Sequence, residues 1–421
     1  MINDNFLQRI KLLPSFSLKY STPAKLVFYF VFCFAFCLSG TLTLLSITTG
    51  LFPYRMGLIS ALVIPLMLLY RIKVKRVILA YMALAFIVIL SGFYNQSSVT
   101  EIVLFMRTLI FSFLIYFLVE SYIRPENIVR VLKLCVFVGL FQLPLVLLQK
   151  ASFDRLPLSI KASIEAVDIG FGTFNFKGDA SMTFFLTLIV IFLLFDHQRN
   201  TIFRYKWLIA AYFTITILIA NAEIVKAIVV LVWGLYLITH LKTRTIIYFG
   251  IAAILILGIL LGSGLLGRIW SQFSYSFLVN ARIDFSSTQA FFSGNYARGA
   301  AVAYYLEKGI LWFGDGPSRY YDVFSRTRAL GNTGHLFTFY SEVGLFGWLG
   351  SVLIFFLIAF PGKGWKFRLH WVSLLMFAAV QLLSFTTEIM NDISIVLIFC
   401  IMAKYYLIPT RRFMAGPNQT I

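Results

Sequence analysis

Polar residues interrupt this chain at intervals too wide for a soluble fold. From residue 26 onward, apolar runs of 15 to 22 residues recur to the far end, separated by short charged or turn-rich stretches. A helix of about 20 apolar residues spans the roughly 30 Å of hydrocarbon in a bilayer. Backbone N–H and C=O groups find no water in lipid and must be satisfied within the segment, so such runs are helices. The pattern predicts twelve spans, at 26–47, 51–70, 77–93, 101–121, 129–149, 179–196, 207–221, 223–240, 245–263, 335–358, 371–387 and 391–408. The seventh and eighth are read as two helices because Asn221 and Glu223 sit mid-run, where a tight external turn relieves the cost of polar groups in lipid.

Composition agrees with the periodicity. The 421 residues are 60% hydrophobic and 13% charged, against about 25% charged in a soluble domain. The expected class is an all-α polytopic membrane protein. Placing the N-terminus in the cytoplasm puts 22 of the 36 Lys and Arg on inner segments, among them Arg71, Lys75, Arg124, Lys206, Lys242, Lys366 and Lys404. Only four acidic residues (Asp4, Glu120, Glu126, Asp196) share that side, so nearly all of the formal +19 lies inside. Cytoplasmic loops carry this excess as a rule, so the basic balance reports topology and not nucleic-acid binding. The outer side holds 14 basic and 13 acidic residues, a balance suited to an ionic site facing outward. Cys33, Cys37, Cys135 and Cys400 fall inside spans and are read as buried apolar packing, with no metal-ligand spacing. The first 25 residues run into a full-length span with no cleavage pattern, so the first helix is expected to be an anchor.

The same reading divides the chain into a cytoplasmic segment 1–25, helices one to nine within 26–263, a large external loop 264–334 between helices nine and ten, helices ten to twelve within 335–408, and a cytoplasmic tail 409–421. A second external loop spans 150–178. Arg107 and Lys226 are charges inside spans, which mark function or else snorkel or pair with Glu101 or Glu223. In the large loop, Arg298 precedes Gly309 and a Gly314–Pro317 turn, and Arg282 is a further outward cation. A guanidinium at the lipid surface is shaped to grip a phosphate bidentately. His335 stands where the loop re-enters the membrane, with Glu342 two helical turns on and on the same face. A histidine at that boundary suits general-base work on a hydroxyl, and a helix cap is the alternative. Glu388 and Asp392 lie at the outer turn between the last two spans.

These motifs, in this order, resemble the bacterial O-antigen polymerases (Wzy-type) and O-antigen ligases. Arg298 with Gly309 is similar to that family's Arg-x10-Gly motif, and GHLFTFYSEVGLFG to its loop exit, here His335-Leu336 where many members have His-Asn. Lys226 falls where many members carry Arg. The resemblance implies a GT-C-like, metal- and cofactor-independent glycosyltransferase of the inner membrane, with its site facing the periplasm. It implies an undecaprenyl-pyrophosphate-linked glycan as donor, contact with membrane lipid, and a chain-length regulator as a further partner to test. His335 and Glu342 would be catalytic, with Arg298, Lys226, Arg107 and Arg282 on pyrophosphate and glycan. The alternatives are a ligase moving glycan onto lipid A core and, from another class, a transporter or flippase. The sequence shows no paired halves with matched interrupted helices of the transporter kind.

The topology has a direct test. A reporter active only in the periplasm should be active when fused near Gly294 and silent near Arg71, Lys242 or Lys366; activity at Lys242 would reverse the orientation from the eighth span onward.

Overall fold

The computed structural model describes residues 21–42, 55–69, 75–155, 170–174, 179–195, 205–220, 222–240, 308–319, 334–360 and 370–407. Every regular element among them is a helix. In chain order these are α1 (Ser21–Cys33, continued by a π turn at Phe34–Leu38), α2 (Arg55–Leu69), α3 (Arg76–Tyr94), α4 (Val99–Tyr122), α5 (Ile128–Leu140), α6 (Gln142–Ser152), α7 (Asp179–Phe195), α8 (Lys206–Ile219), α9 (Glu223–His240), α10 (His335–Ala359), α11 (Trp371–Ser384) and α12 (Ile393–Leu407). Among the described residues, five stretches are long and apolar enough to cross a membrane: Thr22–Leu42, Arg76–Tyr94, Val99–Tyr122, Ile128–Ser152 and His335–Ala359. Each expected span except the ninth contains a described helix, and 245–263 lies outside the described residues.

α7 is the axis of the bundle. All residues from Ser181 to Phe195 are buried, as expected of a helix apolar on every face and surrounded by others. Elsewhere one face is buried and the other presents large apolar side chains such as Leu79, Phe86, Leu208 and Val230, as suits a helix in lipid. The cysteines divide the same way. Cys135 and Cys400 are buried, Cys37 is half-buried, and Cys33 is exposed on the outer face of α1, so its expected burial is corrected to contact with the surroundings of the bundle.

Two expectations about breaks are resolved. The seventh and eighth spans are separate helices: the chain turns extended at Ala220, and Trp233 Nε1 donates to Thr214 Oγ1 at 2.8 Å. The Trp207 and Tyr236 rings, 4.7 Å apart, place the start of α8 beside the end of α9, so the pair is an antiparallel hairpin. The fifth span divides at Phe141 into α5 and α6; Pro144, three residues on, has no N–H to extend the ladder.

The basic ends of the helices are tied together. Glu120 of α4 pairs with Lys75 beside α3 and, at 2.8 Å, with Lys404 of α12. At the same level Phe195 of α7 meets Trp371 of α11 at 4.6 Å and Tyr236 of α9 at 5.6 Å. With these ends aligned, unequal lengths create a step at the opposite end. α4 has 24 residues, against 17 in α7, 14 in α11 and 15 in α12. Thr108 of α4 hydrogen-bonds Asn391, just before α12 begins, so the nine residues of α4 beyond it stand about 13 Å above the start of α12.

Removing the shared carboxylate should loosen this arrangement. Glu120→Ala leaves two ammoniums facing each other without their counter-charge and is expected to cost about 1–3 kcal/mol. Lys75→Ala, which leaves the Lys404 pair in place, should cost less; thermal unfolding in detergent compares the two.

Candidate functional site

The tenth expected span is not one straight helix. Gly344 lies inside α10 at φ 78° and ψ −166°, a conformation close to glycine-only. The chain reverses there, because His335 and Phe355, about 30 Å apart along a straight helix, have ring centroids 6.4 Å apart. A Cβ on Gly347 would lie 3.3 Å from the Phe339 carbonyl. Residues 335–343 therefore form a half-length helix folded back against 345–359.

Such a break leaves helix-end backbone groups without intrahelical partners, and the segment 308–319 supplies them. The Asp315 and Gly316 N–H groups donate to the carbonyls of Ser341 and Glu342 at 2.7 and 3.1 Å. In the other direction, Leu345 and Phe346 N–H donate to Leu311 and Trp312 at 2.7 and 3.4 Å. Backbones this close exclude side chains. A Cβ on Gly344 would lie 2.3 Å from the Trp312 oxygen, and one on Gly314 2.5 Å from the Glu342 carbonyl carbon. The two glycine-bearing motifs singled out in the sequence, FGDGPS and EVGLFG, are thus one structural joint.

Side chains clamp the joint to the α3–α4 turn. Ser91 Oγ donates to Phe313 O at 2.5 Å and approaches Glu342 O at 3.1 Å. Ser318 N–H donates to Glu342 Oε2 at 2.7 Å, and Ser318 Oγ to Glu101 O at 3.0 Å. Arg319 donates to Gln96 O at 2.8 Å and lies 3.8 Å from the Glu101 carboxylate. Lys308 pairs with Asp315 at 2.9 Å.

The reversal corrects the expected depth of His335 and Glu342. Glu342 is level with Glu101, near the tall end of α4, and Phe339 meets Phe105 at 5.0 Å. His335 lies about 10 Å below Glu342, at the level of the α11–α12 turn, where its N–H donates to Thr387 O at 3.1 Å. The expected water-facing end of the helix is its deep end. His335 is 2% exposed, with its ring 4.2 Å from that of Phe339. Its Nε2 is buried without a hydrogen-bond partner, a costly state for a polar atom. Gly334 permits this placement, since a Cβ there would lie 2.1 Å from Phe385 backbone atoms.

A polar layer lies at the foot of the step, around the α11–α12 turn that His335 meets through its backbone N–H. Thr108 donates to Asn391 Oδ1 at 2.8 Å, Asn391 Nδ2 to Glu388 Oε2 at 2.8 Å, and Ser181 of α7 to Asp392. Asp392 also caps α12 through the N–H groups of Ser394 and Ile395. Burial pushes the Glu388 carboxyl above its usual range, partly offset by donors from Asn391 and Thr338.

Of the expected cations, Lys226 is half-buried and Arg107 is exposed. Lys226 is half-buried near the start of α9, within electrostatic reach of Lys150, with Asp179 as the opposing charge. Lys150 Nζ donates to Ile219 O at 2.6 Å, at the α8–α9 turn. Lys150 was read only as the start of a loop; its two-residue spacing after Leu148 in an apolar run gave no signal that it turns inward. Arg107 is exposed on the strip that carries Val103, Leu104 and Ile110. Arg282 and Arg298 lie outside the described residues. No group of three His, Cys, Asp or Glu positioned for a metal occurs among the described residues.

The far side of the layer is built from the other external loop. Residues 170–174 are docked against α1 and α6. Gln149 exchanges two hydrogen bonds with Gly172, at 2.7 and 2.9 Å, and Gln142 accepts from Thr173 N–H at 3.0 Å. Thr173 Oγ1 donates to Phe36 O inside the π turn of α1, and its carbonyl accepts from Gly40 N–H at 3.0 Å. This end of the 150–178 loop therefore packs into the bundle and does not extend away from it.

Comparison with protein-family models, with curated proteins and with solved structures finds no match to this chain.

The joint predicts its own weak point. Gly344→Ala forces a side chain into a backbone conformation worth about 1–3 kcal/mol of strain and against the Trp312 carbonyl. Membrane level and thermal midpoint should both fall, whereas Gly234→Ala, where a Cβ meets nothing within 4 Å, should leave both near wild type.

Proposed function

We propose that this protein polymerises undecaprenyl-pyrophosphate-linked oligosaccharide repeat units (O-antigen, capsule or exopolysaccharide) at the outward face of the bacterial inner membrane, with a GT-C-like bundle of about twelve spans. One observation carries the reading. The FGDGPS turn and the EVGLFG loop exit, two of the motifs on which the sequence resemblance rests, form a single joint above the polar α11–α12 turn, which His335 meets through its backbone N–H.

In this reaction the acceptor sugar's hydroxyl oxygen bonds to the anomeric carbon of the donor. The bond from that carbon to the pyrophosphate oxygen breaks, and its electron pair leaves with the lipid pyrophosphate. His335 Nε2, set among the rings of Phe339 and Phe355, takes the hydroxyl proton. Fixed cations stabilise the charge developing on the leaving group; Lys226 and Lys150 are the candidates for this among the described residues, with Arg298 and Arg282 beyond them. A broken half-helix is also a device of transporters, so the flippase reading has an observation in its favour, and the ligase shares the same donor.

Lipid-linked repeat units supplied to the purified protein in liposomes separate these. A polymerase makes a ladder of lengthened glycan without lipid A core, a ligase needs that core and adds no ladder, and a flippase moves the lipid without forming a bond. Arg298→Ala and Lys226→Ala should abolish the ladder at normal membrane level, Lys226→Arg should be tolerated, and Arg298→Lys should rescue poorly because a point charge lacks the fork. His335→Ala and His335→Asn should both slow turnover by about 10²–10⁴; a near-normal ladder in the Asn variant removes His335 as the base.

A further inference from the structure

Glu342 has the look of a second acid–base group by its position after His335, and the geometry assigns it another task. Its carboxylate is already engaged by the Ser318 N–H at 2.7 Å. Its carbonyl accepts from Gly316 N–H at 3.1 Å, and Ser91 Oγ, which donates to Phe313 O, lies 3.1 Å from it. It is 3% exposed, and it stands about 10 Å along the half-helix from His335, too far for the two side chains to act on one proton.

Each of its contacts holds the segment 313–319 against the end of the half-helix, and each partner is fixed in turn. Ser318 sits at φ 60°, a left-handed conformation that costs a non-glycine residue free energy and here aims its N–H at the carboxylate while its hydroxyl reaches Glu101 O. Arg319, the next residue, closes on Gln96 and Glu101. The same joint supplies the hydrogen bonds that allow the chain to reverse at Gly344, and the reversal is what carries His335 down to the polar layer.

We propose that Glu342 is a positioning residue: its carboxylate is the pin that holds the 313–319 segment on the helix break, and through that joint it fixes the depth of His335. No proton moves through it. The functional arm of this proposal rests on the glycan-transfer reading, while the pin itself is independent of it.

A glutamine keeps an oxygen able to accept the Ser318 N–H but cannot exchange a proton at ordinary pH, so it separates pinning from proton transfer. The test uses full-length protein in detergent, with trypsin cleavage after Arg319 mapped by mass spectrometry, alongside ladder formation as a function of pH. Glu342→Gln should keep Arg319 protected and make a ladder with the wild-type pH profile. Glu342→Ala should expose Arg319 to cleavage and lose activity on the order of 10²-fold, the effect of a displaced reacting group. Ser91→Ala, which loosens the joint without touching the carboxylate, should give partial cleavage and partial loss with the pH profile unchanged. Protection retained in Glu342→Ala would overturn the pin. A protected but inactive Glu342→Gln, or one that has lost a limb of the pH profile, would restore Glu342 to proton transfer. If wild-type protein makes no ladder at all, the function falls, and the cleavage pattern still decides the pin.

Discussion

The end of the bundle opposite Glu120 depends on how the backbone is satisfied where α10 breaks. A reversal in an apolar bundle exposes carbonyls at the end of one half-helix and N–H groups at the start of the next, and each unsatisfied group costs several kcal/mol away from water. Here one short segment, 311–316, answers both ends, donating to Ser341 and Glu342 and accepting from Leu345 and Phe346. The arrangement tolerates no Cβ at Gly314 or Gly344. From that joint follow the folded-back half-helix, the packing of His335 on Phe355, and the clamp onto the α3–α4 turn.

The two ends of the bundle are held by different physics. At the basic end a carboxylate shared between Lys75 and Lys404, with an aromatic cluster around Phe195, sets the helices in register. At the other end the helices stop at different heights, and what fills the step is polar: hydroxyls, amides and carboxylates that satisfy one another around the α11–α12 turn. Apolar side chains of the same volume would pack there at lower cost, so each member of the layer depends on the hydrogen bonds of its neighbours.

Much of the fold was legible because the constraint is severe. Lipid forces helices, so run length and the distribution of Lys and Arg placed the helices, and the polar pair Asn221 and Glu223 marked the α8–α9 turn where the hairpin is found. What periodicity does not reveal is a helix that reverses. The run from His335 to Ala359 is apolar enough on average to read as one span, and nothing in it distinguishes Gly344, where the chain reverses, from Gly347 and Gly350, where it does not. The reversal needs a partner segment thirty residues upstream, and that pairing is tertiary. Hence the depths expected of His335 and Glu342 are exchanged in the structure.

The cations show the same limit from the other side. A charge in an apolar run signals a site or a snorkelling side chain, and the run cannot say which, because the answer lies in the face the helix turns outward. Arg107 shares its strip with exposed Val103, Leu104 and Ile110, so its long side chain has the surface to follow toward water. Lys226 is half-buried and faces Lys150 across the α8–α9 turn. Two ammoniums brought together in a partly buried place repel each other, and Asp179 acts on Lys150 with the opposite sign. What separates Lys226 from Arg107 is therefore the face on which each sits, and that face is fixed only once the helices pack.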